Sequence, residues 1–225
     1  MQKNKDFLKK TLPVFLFALL ALGVIGGTVA WLTATDNKVN SFSVGSFSIP
    51  TTKPSDPTQT ISPALTGNLY EENWDTSSNA DHKLLPGKTF DKDPAVGLGT
   101  DSEEAVVYIC VANSNSNKVY FSIDSNWSPV TNYATAGSAN GTYTKGLFKY
   151  NTNLGPTTTS DAWTEPLFST VVVADDAAST DFIQPYDITV YSYIHQAKDG
   201  NTAIPAADIE SSAETALAAY CPQNS

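Results

Sequence analysis

Ala105-Val106-Val107-Tyr108-Ile109-Cys110-Val111-Ala112 is an eight-residue run with no charge, proline or glycine, rich in β-branched and aromatic side chains. A run this short and this branched reads as a strand covered on both faces rather than as a helix. Pro166 to Ala174 (PLFSTVVVA) has the same character. Two further stretches alternate. Val119, Phe121 and Ile123 interleave with Lys118, Tyr120 and Ser122, and Ile188, Val190 and Ile194 interleave with Thr189, Tyr191, Tyr193 and His195. Each predicts a half-buried strand, because successive side chains of a strand point to opposite faces. Gly87 to Val96 and Lys145 to Tyr150 are weaker strand candidates. Gly, Asn, Pro and Asp separate these segments at the spacing of an all-β sandwich or barrel. Only one helix is expected, at about residues 206–220, where Ile209, Ala213, Ala216, Leu217 and Tyr220 form a stripe at helical spacing. Ser211 and Glu214 have capping-box spacing, Pro205 offers an earlier start, and Pro222 ends the element.

Composition narrows the function classes. The 225-residue chain carries 13 basic and 23 acidic residues, a net charge of −10, and every basic residue is lysine. Nucleic-acid binding is not expected from an acidic chain without arginine, the side chain that most often reads guanine. Hydrophobic residues at 41% and charged residues at 16% describe a folded chain. Lys53 to Pro63, with three prolines among Ser, Thr, Asp and Gln, reads as a linker or long loop.

The first thirty residues differ from the rest. Lys3, Lys5, Lys9 and Lys10 precede an apolar stretch from Leu12 to Val29 that closes on Thr28-Val29-Ala30. Lysines held at the anionic cytoplasmic face, a greasy run and small residues before the scissile bond are the parts of a signal peptide. Residues 1–30 are therefore expected to be removed, with Thr28, Ala30 and Trp31 flanking the cut and membrane contact only before it. A retained anchor is the alternative, since the run is long enough to span. Three glycines within it disfavour a permanent helix. Cleavage leaves 195 residues with a net charge near −13, enough for one domain.

Gly26-Gly27-Thr28-Val29-Ala30-Trp31-Leu32-Thr33-Ala34-Thr35-Asp36, followed by Asn40-Ser41-Phe42-Ser43-Val44-Gly45, is similar to the N-terminal pattern of substrates of the SipW-type signal peptidase. It resembles the start of the TasA/CalY (camelysin-like) family of Gram-positive surface and biofilm-matrix proteins. Leu85 to Val96, with Pro86-Gly87 and Lys92-Asp93-Pro94, resembles a family strand, and so do Ala105 to Ile109, Pro166 to Phe168 and Tyr186 to Ala197. Val96-Gly97-Leu98-Gly99-Thr100 departs from the family's asparagine-bearing loop. The resemblance implies a jelly-roll β-sandwich over residues 50–225, secretion to the matrix or cell surface, and fibres built with itself or related subunits. It also implies that residues 31–49 of one subunit complete the sheet of the next.

Residue chemistry bears on the same segment. Phe42 and Val44 fall on one face and Phe47 and Ile49 on the other, with the change of parity at Gly45-Ser46. An isolated strand cannot bury four such side chains. It must pair with its own sheet or with the sheet edge of another copy, where ladder hydrogen bonds and side-chain pockets hold it. A head-to-tail contact of that kind does not close on itself and builds a filament.

Catalytic signatures are sparse, and neither an enzyme nor a cofactor is expected. His82 and His195 are the only histidines and neither belongs to H-E-x-x-H, so a camelysin-like metalloprotease is the weakest reading. No G-x-S-x-G elbow or glycine-rich phosphate loop occurs. Glu71, Glu72, Asp101, Glu103 and Glu104 are read as surface charge. Asp101 to Glu104 and Asp175-Asp176 lack the spacing of a dedicated calcium loop. Cys110 and Cys221 are open to two fates, a bridge stapling the C-terminal helix to the sheet or two separate thiols. Trp74, Trp127 and Trp163, if exposed, would suit a carbohydrate-binding or adhesion module, the alternative to a fibre subunit.

Overall fold

The computed structural model describes residues 39–41, 47–74, 84–113, 117–182 and 187–224. All of these lie in one compact unit, Ala34–Ser225. The expected signal peptide with Thr28, Ala30 and Trp31, the arm residues Phe42 and Val44, and His82 fall outside the described residues.

The run that opens the sequence reading becomes β5 (Ala105–Asn113), and it is central. On one side it pairs antiparallel with β12 (Ile188–Gln196) along its whole length, on the other with β9 (Tyr143–Tyr150). Beyond β9 lie β7 (Trp127–Pro129) and the short β8 (Thr135–Ala136). Beyond β12 lies β1 (Val39–Ser41), which runs parallel to it. Both faces of β5 are covered, as its composition predicts. Ala105, Val107, Ile109 and Val111 enter the main core, while Val106, Tyr108 and Cys110 enter a second core under the helix.

Strands β2 (Leu69–Glu71), β3 (Thr89–Asp91), β4 (Pro94–Leu98), β6 (Val119–Tyr120), β10 (Ala162–Trp163) and β11 (Thr170–Val173) form two three-stranded sheets, β10-β4-β2 and β3-β11-β6. These join end to end. Thr164 N–H donates to the Val96 carbonyl at 2.9 Å, Leu167 N–H to Pro94 at 2.9 Å, and Lys92 N–H to Ser169 at 3.1 Å. Residues 87–98 and 162–173 are thus one long antiparallel pair, broken where Pro94 and Pro166 remove ladder donors. Leu69, Phe90, Val96, Leu98, Leu167, Phe168, Val171 and Val173 from this layer share the main core with the odd-numbered face of β5. Among the described residues the fold is all-β, its sheets antiparallel except at β1, with one short C-terminal α-helix.

The helix, α1, spans Ala206–Leu217 and is followed by a turn rather than reaching residue 220. Pro205 precedes its first turn, so Ser211 and Glu214 sit mid-helix and form no cap. Ile209, Ala213 and Leu217, four residues apart, are buried on the sheet, while Ala216 is exposed. That helix covers the tyrosine face of β12. The strand is therefore buried on both faces, not half-buried as alternation predicts. Conversely, Pro166 to Ala174 is not one continuous central strand. Only Thr170–Val173 is strand, and Val171 and Val173 alone of its residues point inward.

Cys110 and Cys221 are joined by a disulfide, their Cα atoms 6.1 Å apart. It ties the chain beyond α1 to the middle of β5. A closure of 111 residues stabilises by about 4–5 kcal/mol in the chain-entropy account. Among the described residues, β13 (Lys198–Asp199) and β14 (Thr202–Ala203) form a short hairpin, Ser179–Asp181 is a turn of 3-10 helix, and the rest is loop. Residues 53–63 are the long loop of the two readings, not a linker. Ile61 is buried, Lys53 N–H donates to the Gln59 carbonyl at 2.9 Å, and Ile61 N–H donates to Thr51 at 2.8 Å, so the segment folds back on itself.

Candidate assembly interface

The expected assembly strand divides into two parts. Val39–Ser41 lies against the outer edge of β12, opposite Tyr191–Tyr193. Residues 47–50 belong to no strand. Phe47 is half-buried against the main core, while Ile49 is 41% exposed.

Just beyond, the chain is bolted to its own body. Ser48 N–H donates to the Ser102 hydroxyl at 2.9 Å, and the Ser48 carbonyl accepts from Gly99 N–H at 2.8 Å and from the Asn68 amide at 3.0 Å. One oxygen of Asp161 then accepts from Thr51 N–H at 2.6 Å, Thr52 N–H at 2.8 Å and the Thr52 hydroxyl at 2.8 Å. The Thr52 carbonyl accepts from the Trp163 indole at 3.1 Å. Burial pushes the Asp161 carboxyl up, but its donors from Thr52, Thr51 and Thr100 outweigh this and hold it below the ordinary aspartate range.

The Val96-Gly97-Leu98-Gly99-Thr100 stretch accounts for this close docking. A methyl at Gly99 would lie 2.4 Å from the Ile49 carbonyl oxygen, and one at Gly97 would lie 2.6 Å from the Trp163 ring. Only glycine lets the segment and the indole approach β4 so closely.

The Lys92-Asp93-Pro94 stretch proves structural. Lys92 Nζ lies 2.8 and 2.9 Å from the two Glu71 carboxylate oxygens and 4.4 Å from the Trp74 ring centroid. Both residues are buried, Lys92 at 1% and Glu71 at 5% exposure. Glu71, expected as surface charge, is turned inward because the alternation of β2 points Leu69 and Glu71 to the same side. Burial pushes the neighbouring Asp93 carboxyl up, against two hydrogen bonds from Asn73 at 2.8 Å. The sequence signals this pair only by a lysine two residues before the strand-opening Pro94 and by acids in a separate β-segment.

Other candidates are placed as follows. Trp127 is buried, with its indole N–H on the Glu165 carbonyl at 2.9 Å; Trp163 and Trp74 are half-buried against neighbours. None of the three is a free stacking platform. His195 is half-buried, with Nδ1 2.8 Å from the Gln196 carbonyl. Glu104 is engaged by Lys198 and Asn153, and Asp176 by Lys118. Among the described residues, no group of three His, Cys, Asp or Glu side chains is placed to hold a metal ion. Set against protein-family models, curated proteins and solved structures, the chain matches none of them.

Proposed function

We propose that this protein is a secreted structural subunit, cleaved after Ala30, that assembles into surface or biofilm-matrix fibres by strand addition on a jelly-roll β-sandwich. The observation that carries the reading is the contrast along the N-terminal segment. Residues 48–52 are fastened to their own body by a dense set of hydrogen bonds, whereas upstream of them, among the described residues, the chain meets the outer edge of β12 through the three residues of β1. The outer edge of a sheet is a template on which another chain can add a strand. The exchanged piece is the arm before Ser48, shorter than the whole of residues 31–49, and β12 is the edge it is exchanged between. The motif run from Gly26 to Gly45 supports export and the fibre family.

The role is mechanical, and catalysis has no part in it. The test is negative-stain microscopy of secreted mature protein beside a form lacking residues 31–46, which keeps the Ser48–Thr52 anchor. Filaments are expected from the first and not from the second. Filaments of equal length and number from both would overturn the proposal.

A further inference from the structure

The face of the large sheet that carries α1 is not wholly covered. Past the end of the helix a cavity of about 340 Å³ opens between the sheet and the C-terminal tail. It is lined by the end of β5, by Gly146 of β9, by Tyr133 and by Tyr220-Cys221-Pro222. Lys145, Asp187 and Thr189 also line it.

The concavity is held open by construction. The disulfide fixes Cys221 over β5. Tyr220, 39% exposed, stacks on Tyr191 with ring centroids 3.9 Å apart. Further along the tail, Asn224 N–H donates to the Asn132 carbonyl at 2.7 Å, its side-chain amide donates to Ala134 at 2.9 Å, and its side-chain oxygen accepts from the Thr135 hydroxyl at 3.2 Å. The tail is thus laced to the loop that carries Tyr133, and the gap between them is a fixed feature of the surface rather than a fraying end.

We propose that this cavity binds an uncharged, hydroxyl-rich saccharide, one or two rings at a time. The lining has the composition of a small-ligand site, with aromatic walls and a few converging polar groups. Two tyrosines line it, and Tyr220, one face of which is stacked on Tyr191, keeps its other face for the C–H face of a sugar ring. Lys145, Asp187 and Thr189 bring an ammonium, a carboxylate and a hydroxyl to the lining, which suits a polyol better than an apolar ligand. An anionic ligand meets Asp187 and the charge of a strongly acidic chain. The site lies on tyrosines of the C-terminal half, so it is independent of the N-terminal arm and of whether the chain forms fibres.

The experiment titrates isotopically labelled, full-length mature protein with N-acetylglucosamine tetramer and, separately, with maltotetraose, following backbone amide shifts. Saturable shifts centred on Lys145, Gly146, Thr189 and Tyr220 with at least one sugar are expected. Tyr220→Ala should weaken binding at least tenfold while leaving the rest of the spectrum in place, and Lys145→Ala, at an exposed position, should weaken it several-fold without any effect on folding. Reducing the disulfide should weaken binding at least tenfold, because the wall bearing Tyr220 is then released. Absence of saturable shifts with both sugars, or binding unchanged by Tyr220→Ala and by reduction, would overturn the proposal.

Discussion

Lys92 and Tyr108 show two ways in which a polar group is held in this interior. Lys92 is neutralised by both oxygens of Glu71 beneath an indole ring. Removing one partner strands a buried charge, so Lys92→Met is expected to cost about 3–5 kcal/mol, while Lys92→Met with Glu71→Leu should recover most of it. Urea denaturation of the two variants checks this; equal losses would mean that the pair itself is the stabilising element. Tyr108 is fully buried between β5 and α1, and its hydroxyl has no hydrogen-bond partner among the described residues. Burial, followed by the charges of Glu210 and Glu214, pushes its phenol far above the ordinary range. Tyr108→Phe removes an unsatisfied hydroxyl and keeps the ring. It is expected to leave stability unchanged or raise it by about 1 kcal/mol, read from the urea midpoint. Neither role is visible in the local pattern, since Lys92 reads as a loop lysine and Tyr108 as one more apolar residue of its run.

The elements were legible to different degrees. The β5 run and the helix stripe depend on local composition and periodicity, and both were found close to their expected places. The break of residues 87–98 and 162–173 into β3, β4, β10 and β11 depends on where two prolines face each other across a ladder, which no single segment records. The anchor of residues 48–52 is likewise a meeting of distant parts, because Asp161 lies more than a hundred residues away. Asp161 is held below the ordinary aspartate range. A carboxylate lowered on folding contributes stability that is full above its unfolded value and is lost as pH falls through its folded value. Acid below the ordinary aspartate range is therefore expected to loosen the anchor. Hydrogen exchange at the Thr51 and Thr52 amides should rise relative to the β5 amides there, and Asp161→Asn should show the rise already at neutral pH. Protection of Thr51 and Thr52 that does not respond to acid would rule the carboxylate out as the clasp.

Over the whole molecule, charge and shape act against each other. With residues 1–30 removed the chain carries about −13, and copies approaching head to tail repel one another. Ions screen that repulsion over roughly 8–10 Å at 0.10–0.15 M salt. Filament growth by light scattering is thus expected to speed up several-fold between low and physiological salt. Slower growth in salt would mean that attraction between charged patches, rather than strand addition against repulsion, drives assembly. The edge presented by β12 is itself a property of the assembled fold, because it exists only once β5 has taken the other side of that strand.

By itself the sequence determined what is local. It specified an all-β chain with one C-terminal helix, a central strand buried on both faces, a lysine-headed apolar N-terminal stretch and an acidic remainder, because periodicity, branching and charge act over a few residues at a time. Only the tertiary structure decided what depends on residues far apart meeting. It joined Cys110 to Cys221, turned Glu71 inward to Lys92, packed Trp74, Trp127 and Trp163 against neighbours, put helix α1 over the tyrosines of β12, and left a tyrosine-lined cavity beside the C-terminal tail. Each of these follows from the register of strands separated by tens of residues, and register is set by how the layers share one core rather than by any segment alone.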